Sequence, residues 1–125
     1  QDSPMYVRIV SAKIQPGKME EFRNLYSTEI IPALRETPGC RYAFLTENLQ
    51  EENEIISVTI WDSKEDAQYY EESGRFEELT KKVAHTLSSL YQWKMALQKK
   101  TGERVKTSDD LKVTHYNVVT GKKFD

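Results

Sequence analysis

Cysteine is nearly absent: Cys40 is the only one in 125 residues, so no disulfide can form within the chain and no cysteine cluster can hold a structural zinc. A reducing, cytoplasmic setting is the natural expectation. Long apolar runs are missing as well. None approaches the roughly 20 residues that span a bilayer, so no membrane association is expected. Positive charge is not in excess either: 18 Lys and Arg stand against 20 Asp and Glu, a formal net charge of −2. Such a chain has no long-range attraction for a phosphate backbone, and nucleic acid is not an expected partner. The basic cluster Lys99, Lys100, Arg104 and Lys106 is interrupted by Glu103, Asp109 and Asp110, and reads as solvated surface. The two histidines, His85 and His115, are far apart, and neither a His-x-x-Glu motif nor a glycine-rich phosphate loop occurs. No metal and no cofactor is therefore expected.

What is present suits one small domain. A chain of 125 residues can bury a core without staples. Tyr6 to Ile14 is mostly β-branched or apolar and ends at Gln15-Pro16-Gly17, which predicts a strand and a turn. Met19, Phe22, Tyr26, Ile30 and Ala33 then recur at helical spacing. Pro32, lacking an amide donor, predicts a kink or a loosened last turn before Thr37-Pro38-Gly39. Arg41 to Thr46 and Glu54 to Trp61 read as an antiparallel hairpin. In the second of these strands Ile56, Val58 and Ile60 share one face, and Ile55, Ser57, Thr59 and Trp61 the other.

Asp62, with Glu65 as the third helical position, predicts a helix start. Ser73-Gly74 breaks that helix, and Phe76, Leu79, Val83 and Leu87 begin a new stripe. Leu90 to Leu97 fits a helix or a strand, and the alternation of Tyr91, Trp93, Met95 and Leu97 favours a fourth strand. Leu111 to Val119 reads as a fifth. Without it the order is β-α-β-β-α-β, the split βαβ or ferredoxin-like arrangement: an α+β fold with two helices on one face of a four-stranded antiparallel sheet. The bare face, expected to carry Val7, Ile9, Leu45 and Trp61, needs a cover, and a homodimer would supply it.

The residues also resemble a known family. Tyr6 to Ile14, Pro16-Gly17-Lys18 and Met19-Glu20-Glu21-Phe22 resemble the opening of antibiotic biosynthesis monooxygenase-like (ABM) domains. Thr37-Pro38-Gly39-Cys40, Trp61-Asp62-Ser63-Lys64-Glu65-Asp66-Ala67 and Ser73-Gly74-Arg75-Phe76 resemble that family's later junctions. The resemblance covers roughly Tyr6 to Leu97 and divides the chain into a tail (1–5), an ABM-like domain (6–98) and a C-terminal extension (99–125) carrying an extra strand. It implies a dimeric α/β barrel with a ligand cleft between sheet and helices in each protomer. The start at Gln1-Asp2-Ser3-Pro4, ahead of Met5, leaves a cleaved signal peptide open.

Members of that family include cofactor-free oxygenases of electron-rich phenols and quinols. This chemistry needs an apolar pocket, a group that moves a proton and donors for an oxyanion. The resemblance therefore implies Tyr70 and His85 as catalytic candidates, and Trp61, Tyr42, Phe44, Arg8 and Trp93 as substrate-binding candidates, with Tyr69 and Arg41 as further possibilities. Each has a plainer reading. Trp61 could be core or a dimer contact, Tyr70 simple packing, and His85 a dipole partner at a helix end. A haem-degrading branch of the family has an Asn, a Trp and a proximal His where this chain has Val10, Tyr70 and Thr80, so haem degradation is not expected. Two functions follow: a cofactor-independent monooxygenase-like oxidoreductase acting on a small hydrophobic aromatic substrate, or a noncatalytic ligand-binding or regulatory dimer of the same fold.

Overall fold

A computed structural model describes residues 5–103 and 111–124 of the chain. Strand β1 (Tyr6–Lys13) leads into helix α1 (Met19–Leu25), a π-helical turn (Tyr26–Ile30) and α2 (Ile31–Arg35). Strands β2 (Cys40–Glu47) and β3 (Glu54–Trp61) follow as the expected hairpin. Then come α3 (Lys64–Glu72), α4 (Arg75–Val83), a 3-10 turn (Ala84–Thr86), α5 (Ser89–Thr101) and β4 (Leu111–Asn117). All pairings are antiparallel and the strand order is β2-β3-β1-β4, the ferredoxin-like arrangement.

One expected strand is a helix. Leu90 to Leu97 lies within α5, and the edge beside β1 is filled by Leu111–Asn117. The C-terminal strand is thus the fourth of the sheet and not an addition to four. Tyr91 and Met95, on one face in the alternating reading, are also i and i+4 on a helix, and Tyr91 is buried while Met95 packs on the core. The caps decide between the two periods. Ser88 accepts from the Tyr91 amide at the start, and Gly102, at φ +76, closes the end. Of the basic cluster, Lys99 and Lys100 occupy the last turn of α5, while Arg104 and Lys106 lie outside the described residues, as do Gln1 to Pro4.

Other local expectations hold with shifted detail. The loosening caused by Pro32 is the π-helical turn just before it, where the Ile31 amide reaches back to the Tyr26 carbonyl. The cap of α3 is Ser63, not Asp62: its hydroxyl accepts from the Asp66 amide, and Asp62 instead receives both arms of Arg41 at 2.8 and 2.6 Å. Gly39 explains the Pro-Gly step before β2. It sits at φ +84, and a Cβ there would lie 2.4 Å from the Asp66 carboxyl, so only glycine lets β2 start against the first turn of α3.

The register sorts the sheet into two faces. Tyr6↔Trp61, Arg8↔Thr59, Val10↔Ser57 and Ala12↔Ile55 pair on the face under the helices, because paired residues point the same way. Leu45, opposite Ser57, joins them. Leu45 and Trp61 therefore do not belong to the bare face, where both were expected; Trp61 has no exposed surface at all. The opposite face carries Val7, Ile9, Ile56, Val58 and Ile60 with Tyr42 and Phe44. Two of these, Tyr42 and Phe44, are 44% and 50% exposed and stack at 6.0 Å, a large apolar surface for an isolated chain.

Candidate functional site

Between the sheet and the helices lies a cavity of about 70 Å³. Its floor is the middle of β1 and β3: Arg8, Val10 and Ala12 alternate inward against Thr59, Ser57 and Ile55. One wall comes from α1, the π-helical turn and α2 through Phe22, Tyr26, Ile30 and Leu34. The other comes from α3 and α4 through Tyr70, Phe76, Leu79 and Thr80. Pockets that hold small molecules are mostly apolar with a few convergent polar groups, and this one fits that description.

Its polar groups are few. Tyr26 shares a 2.7 Å hydrogen bond with Ser57, and burial pushes its phenol up, partly opposed by that bond. Tyr70 is buried, its ring 5.0 Å from Trp61 and 5.9 Å from Phe76. Burial drives its phenol far upward, with the Arg8 charge opposing, so it is a neutral hydrogen-bond donor at any working pH. Arg8 is 2% exposed, and its guanidinium carbon stands 4.1 Å from the Phe76 ring centre and 5.2 Å from that of Tyr70. Such stacking suits a planar cation.

Behind the cavity, Arg8 Nε donates to the Glu71 carboxylate, which also meets His115 Nε2 at 2.9 Å. Burial alone would raise the Glu71 carboxyl, but the Arg8 bond and charge, with His115, outweigh it and hold the group below the ordinary range. Because the folded value is lowered, its stabilisation is complete above the unfolded value and disappears as pH falls through the folded one. The urea midpoint is expected to stay level from neutrality to about pH 5 and to drop below about pH 4. Glu71→Gln is expected to flatten that acid limb, and an unchanged limb in this variant would reject the assignment. Exposed pairs such as Arg23 with Glu47 contribute less.

The structure brings together only some of the residues singled out from sequence. Arg8 and Tyr70 line the cavity, and Trp61 stands behind Tyr70, its Nε1 donating to Thr59 Oγ1 at 2.8 Å. Tyr42 and Phe44 are on the opposite face of the sheet. Trp93 is 55% exposed on α5, and Tyr69 is exposed beside the inward Tyr70. His85 does not line the cavity; its ring is exposed and meets Glu21 at 2.5 Å. Glu71, not singled out from the sequence, is the partner of a buried arginine. His115 and Phe76 join this group from β4 and α4. The signal for the floor was in the alternation of β1 and β3, but which helix residues meet it depends on the packing of distant elements. Cys40 is half buried and its thiol is pushed up to about 11 by burial, so it is no nucleophile at neutral pH. Among the described residues no group of three or more His, Cys, Asp or Glu could hold a metal ion, and no helix is long and apolar enough to cross a membrane.

Comparison with known proteins bears on this geometry. The family model for antibiotic biosynthesis monooxygenase matches residues 5–82. No curated protein matches significantly. Among solved structures, a protein from Bordetella bronchiseptica provisionally described as an antibiotic biosynthesis monooxygenase superposes with a TM-score of 0.69 at 18% identity, covering 94% of this chain and 100% of that one. One of the same provisional description from Nitrosomonas europaea gives 0.65 at 16% identity over 95% and 94% of the two chains. A heme-degrading protein from Mycobacterium tuberculosis gives 0.57 at 14% identity over 98% and 100%. At these identities the likeness is one of fold.

Proposed function

Since the chain belongs to the antibiotic biosynthesis monooxygenase family, we propose that it is a cofactor-independent monooxygenase-like oxidoreductase acting on a small hydrophobic aromatic substrate of the phenol or quinol type. The observation that carries this reading is the apolar cavity whose lining includes a buried guanidinium and a neutral phenol, Arg8 and Tyr70. An electron-rich ring supplies its own electrons to oxygen. For an anthrone-type substrate the balance is one CH₂ and one O₂ giving one C=O and one H₂O. The protein then has to exclude water, hold the developing oxyanion and move a proton.

At about 70 Å³ the cavity is smaller than the engineered space of roughly 150 Å³ that admits benzene. Binding a ring system therefore requires widening. The joint nearest the α4 wall is Ser73-Gly74, where Gly74 at φ +87 separates α3 from α4. The test is oxygen uptake with an anthrone or quinol, with quinone formed in step. Binding of such a ring without any oxygen uptake would instead identify a noncatalytic binding module.

Haem does not fit the residues present. Val10 and Thr80 line the cavity but carry no iron ligand, and no lining residue among those described is His, Cys or Met. The lining phenols of Tyr26 and Tyr70 are held protonated by burial, which disfavours the phenolate that iron would need.

A homodimer is part of the proposal, with the second copy covering Val7, Ile9, Tyr42, Phe44 and Val58 and forming the barrel. Light scattering at micromolar concentration is expected to give twice the chain mass, and Phe44→Glu is expected to shift it toward the monomer. A stable monomeric parent protein would reject this part. A cytoplasmic setting belongs to the same reading, supported by the single cysteine.

A further inference from the structure

We infer that the ligand enters the cavity between α4 and β4, and that Leu111 and Thr80 set the width of that entrance. The inference rests on reading the cavity as the substrate site. The other sides of the cavity are held by polar contacts. At one end Glu71 on α3 joins Arg8 on β1 to His115 on β4. At the opposite end Ile14 and Leu87 form a β-bridge, and the Ser88 amide donates to the Lys13 carbonyl at 2.9 Å. Across the floor Tyr26 and Ser57 share their 2.7 Å bond, which fastens the π-helical turn to β3. Between the helical walls Lys82 on α4 reaches Glu29 at 3.3 Å, and Arg75 donates to Thr37 Oγ1 at 3.1 Å. Among the described residues no hydrogen bond or ion pair joins α4 to β4.

Residues on both sides of that gap line the cavity and are half buried: Phe76 and Thr80 on α4, Leu111 on β4 and Val10 beside it on β1. The wall from α1 to α2 is buried throughout at Phe22, Tyr26, Ile30 and Leu34. Phe76 and Thr80, four apart, follow one line of their helix. Leu111 pairs with Ala12, so it shares with Ala12 and Val10 the face of the sheet that lies under the helices. The Thr80 hydroxyl donates to the Phe76 carbonyl at 2.9 Å, which leaves both lips of the gap without an unsatisfied polar group. Each lip also has room to shift. Strand β4 is an edge strand paired only with β1, and α4 lies between two breaks, Gly74 at φ +87 and the 3-10 turn Ala84–Thr86. Widening the cavity here breaks no polar contact across the gap, and a slot between a helix and a strand admits a flat apolar ring edge-on. The family match ends at residue 82, so Leu111 places one lip of the entrance outside it.

The experiment follows 2-naphthol binding to the full-length protein by stopped-flow fluorescence. Leu111→Trp and Thr80→Trp are each expected to slow association at least about tenfold and dissociation in the same proportion, leaving Kd within about twofold of the parent. A side chain in an entrance obstructs both directions, whereas loss of a ligand contact acts mainly on dissociation. Leu111→Ala is expected to speed both steps severalfold and keeps the test decisive if a Trp variant does not fold. Leu34→Met, a volume-conserving change on the buried wall, is expected to leave association unchanged. Association within about twofold of the parent in all three entrance variants, an effect confined to dissociation, or an equal slowing by Leu34→Met, each with a parent that binds, overturns the inference while the cavity reading stands. If 2-naphthol does not bind the parent protein, the cavity reading fails and the entrance fails with it.

Discussion

A Tyr70→Phe protein is expected to keep its fold yet to consume oxygen about 10²-fold more slowly with an anthrone or quinol, as when a positioned proton-transfer group is removed. The ring itself is retained by this change, so its contacts with Trp61 at 5.0 Å and Phe76 at 5.9 Å survive. What is lost is a phenol that burial keeps protonated. A group in that state gives a proton rather than taking one. In the balanced reaction the oxygen atom that leaves as water needs protons, and the proposal assigns their delivery to Tyr70 on the cavity wall. His85→Ala should behave differently. The ring is 54% exposed and occupied with Glu21, so the rate should change by no more than about twofold, as for an ordinary surface substitution. Oxygen-electrode rates beside urea midpoints separate a catalytic loss from a folding loss. Equal turnover by parent and Tyr70→Phe would remove Tyr70 from the mechanism.

Trp61→Ala is expected to destabilise the fold by about 3–5 kcal/mol, the range for truncating a large buried aromatic. Trp61 has no exposed surface and ends β3 opposite Tyr6. Its ring supports Tyr70, and its Nε1 bonds to Thr59 Oγ1, which in turn reaches the Arg8 carbonyl at 3.3 Å. The truncation therefore opens a void behind the cavity wall and strips a buried hydroxyl of a donor. Trp61→Phe refills most of the void and should recover more than half of the loss, measured as the shift in urea midpoint at constant slope. A loss below about 1 kcal/mol for Trp61→Ala would mean that the wall collapses freely. Trp61 would then not be what positions Tyr70.

Local chemistry was enough to read much of this protein. The alternation of β1 and β3, the break at Ser73-Gly74 and the Pro-Gly step at Gly39 each depend on neighbours within a few residues. So does the pairing of β2 with β3. Each was legible, and together with the order of elements they indicated the ferredoxin-like sheet. Leu90 to Leu97 was misread because Tyr91 and Met95 satisfy both periods; the caps at Ser88 and Gly102 resolve it.

The site was legible only where a strand faces it. Arg8 and Tyr70 were named from the chain, but Glu71 and His115 were not among the candidates. Both acquire a role only when β4 takes the edge beside β1, placing His115 opposite Arg8, and α3 lays Glu71 between them. His85, Tyr42, Phe44 and Trp93 carried suitable chemistry and lie elsewhere. Composition, periodicity and turn residues act over a few positions, and by themselves they determined the elements and their order up to α4, but not α5. The meeting of Arg8, Glu71 and His115 joins residues 63 and 44 positions apart. Only the packing of helices on the sheet could decide it, because the free energy that selects that contact comes from burial across the whole core.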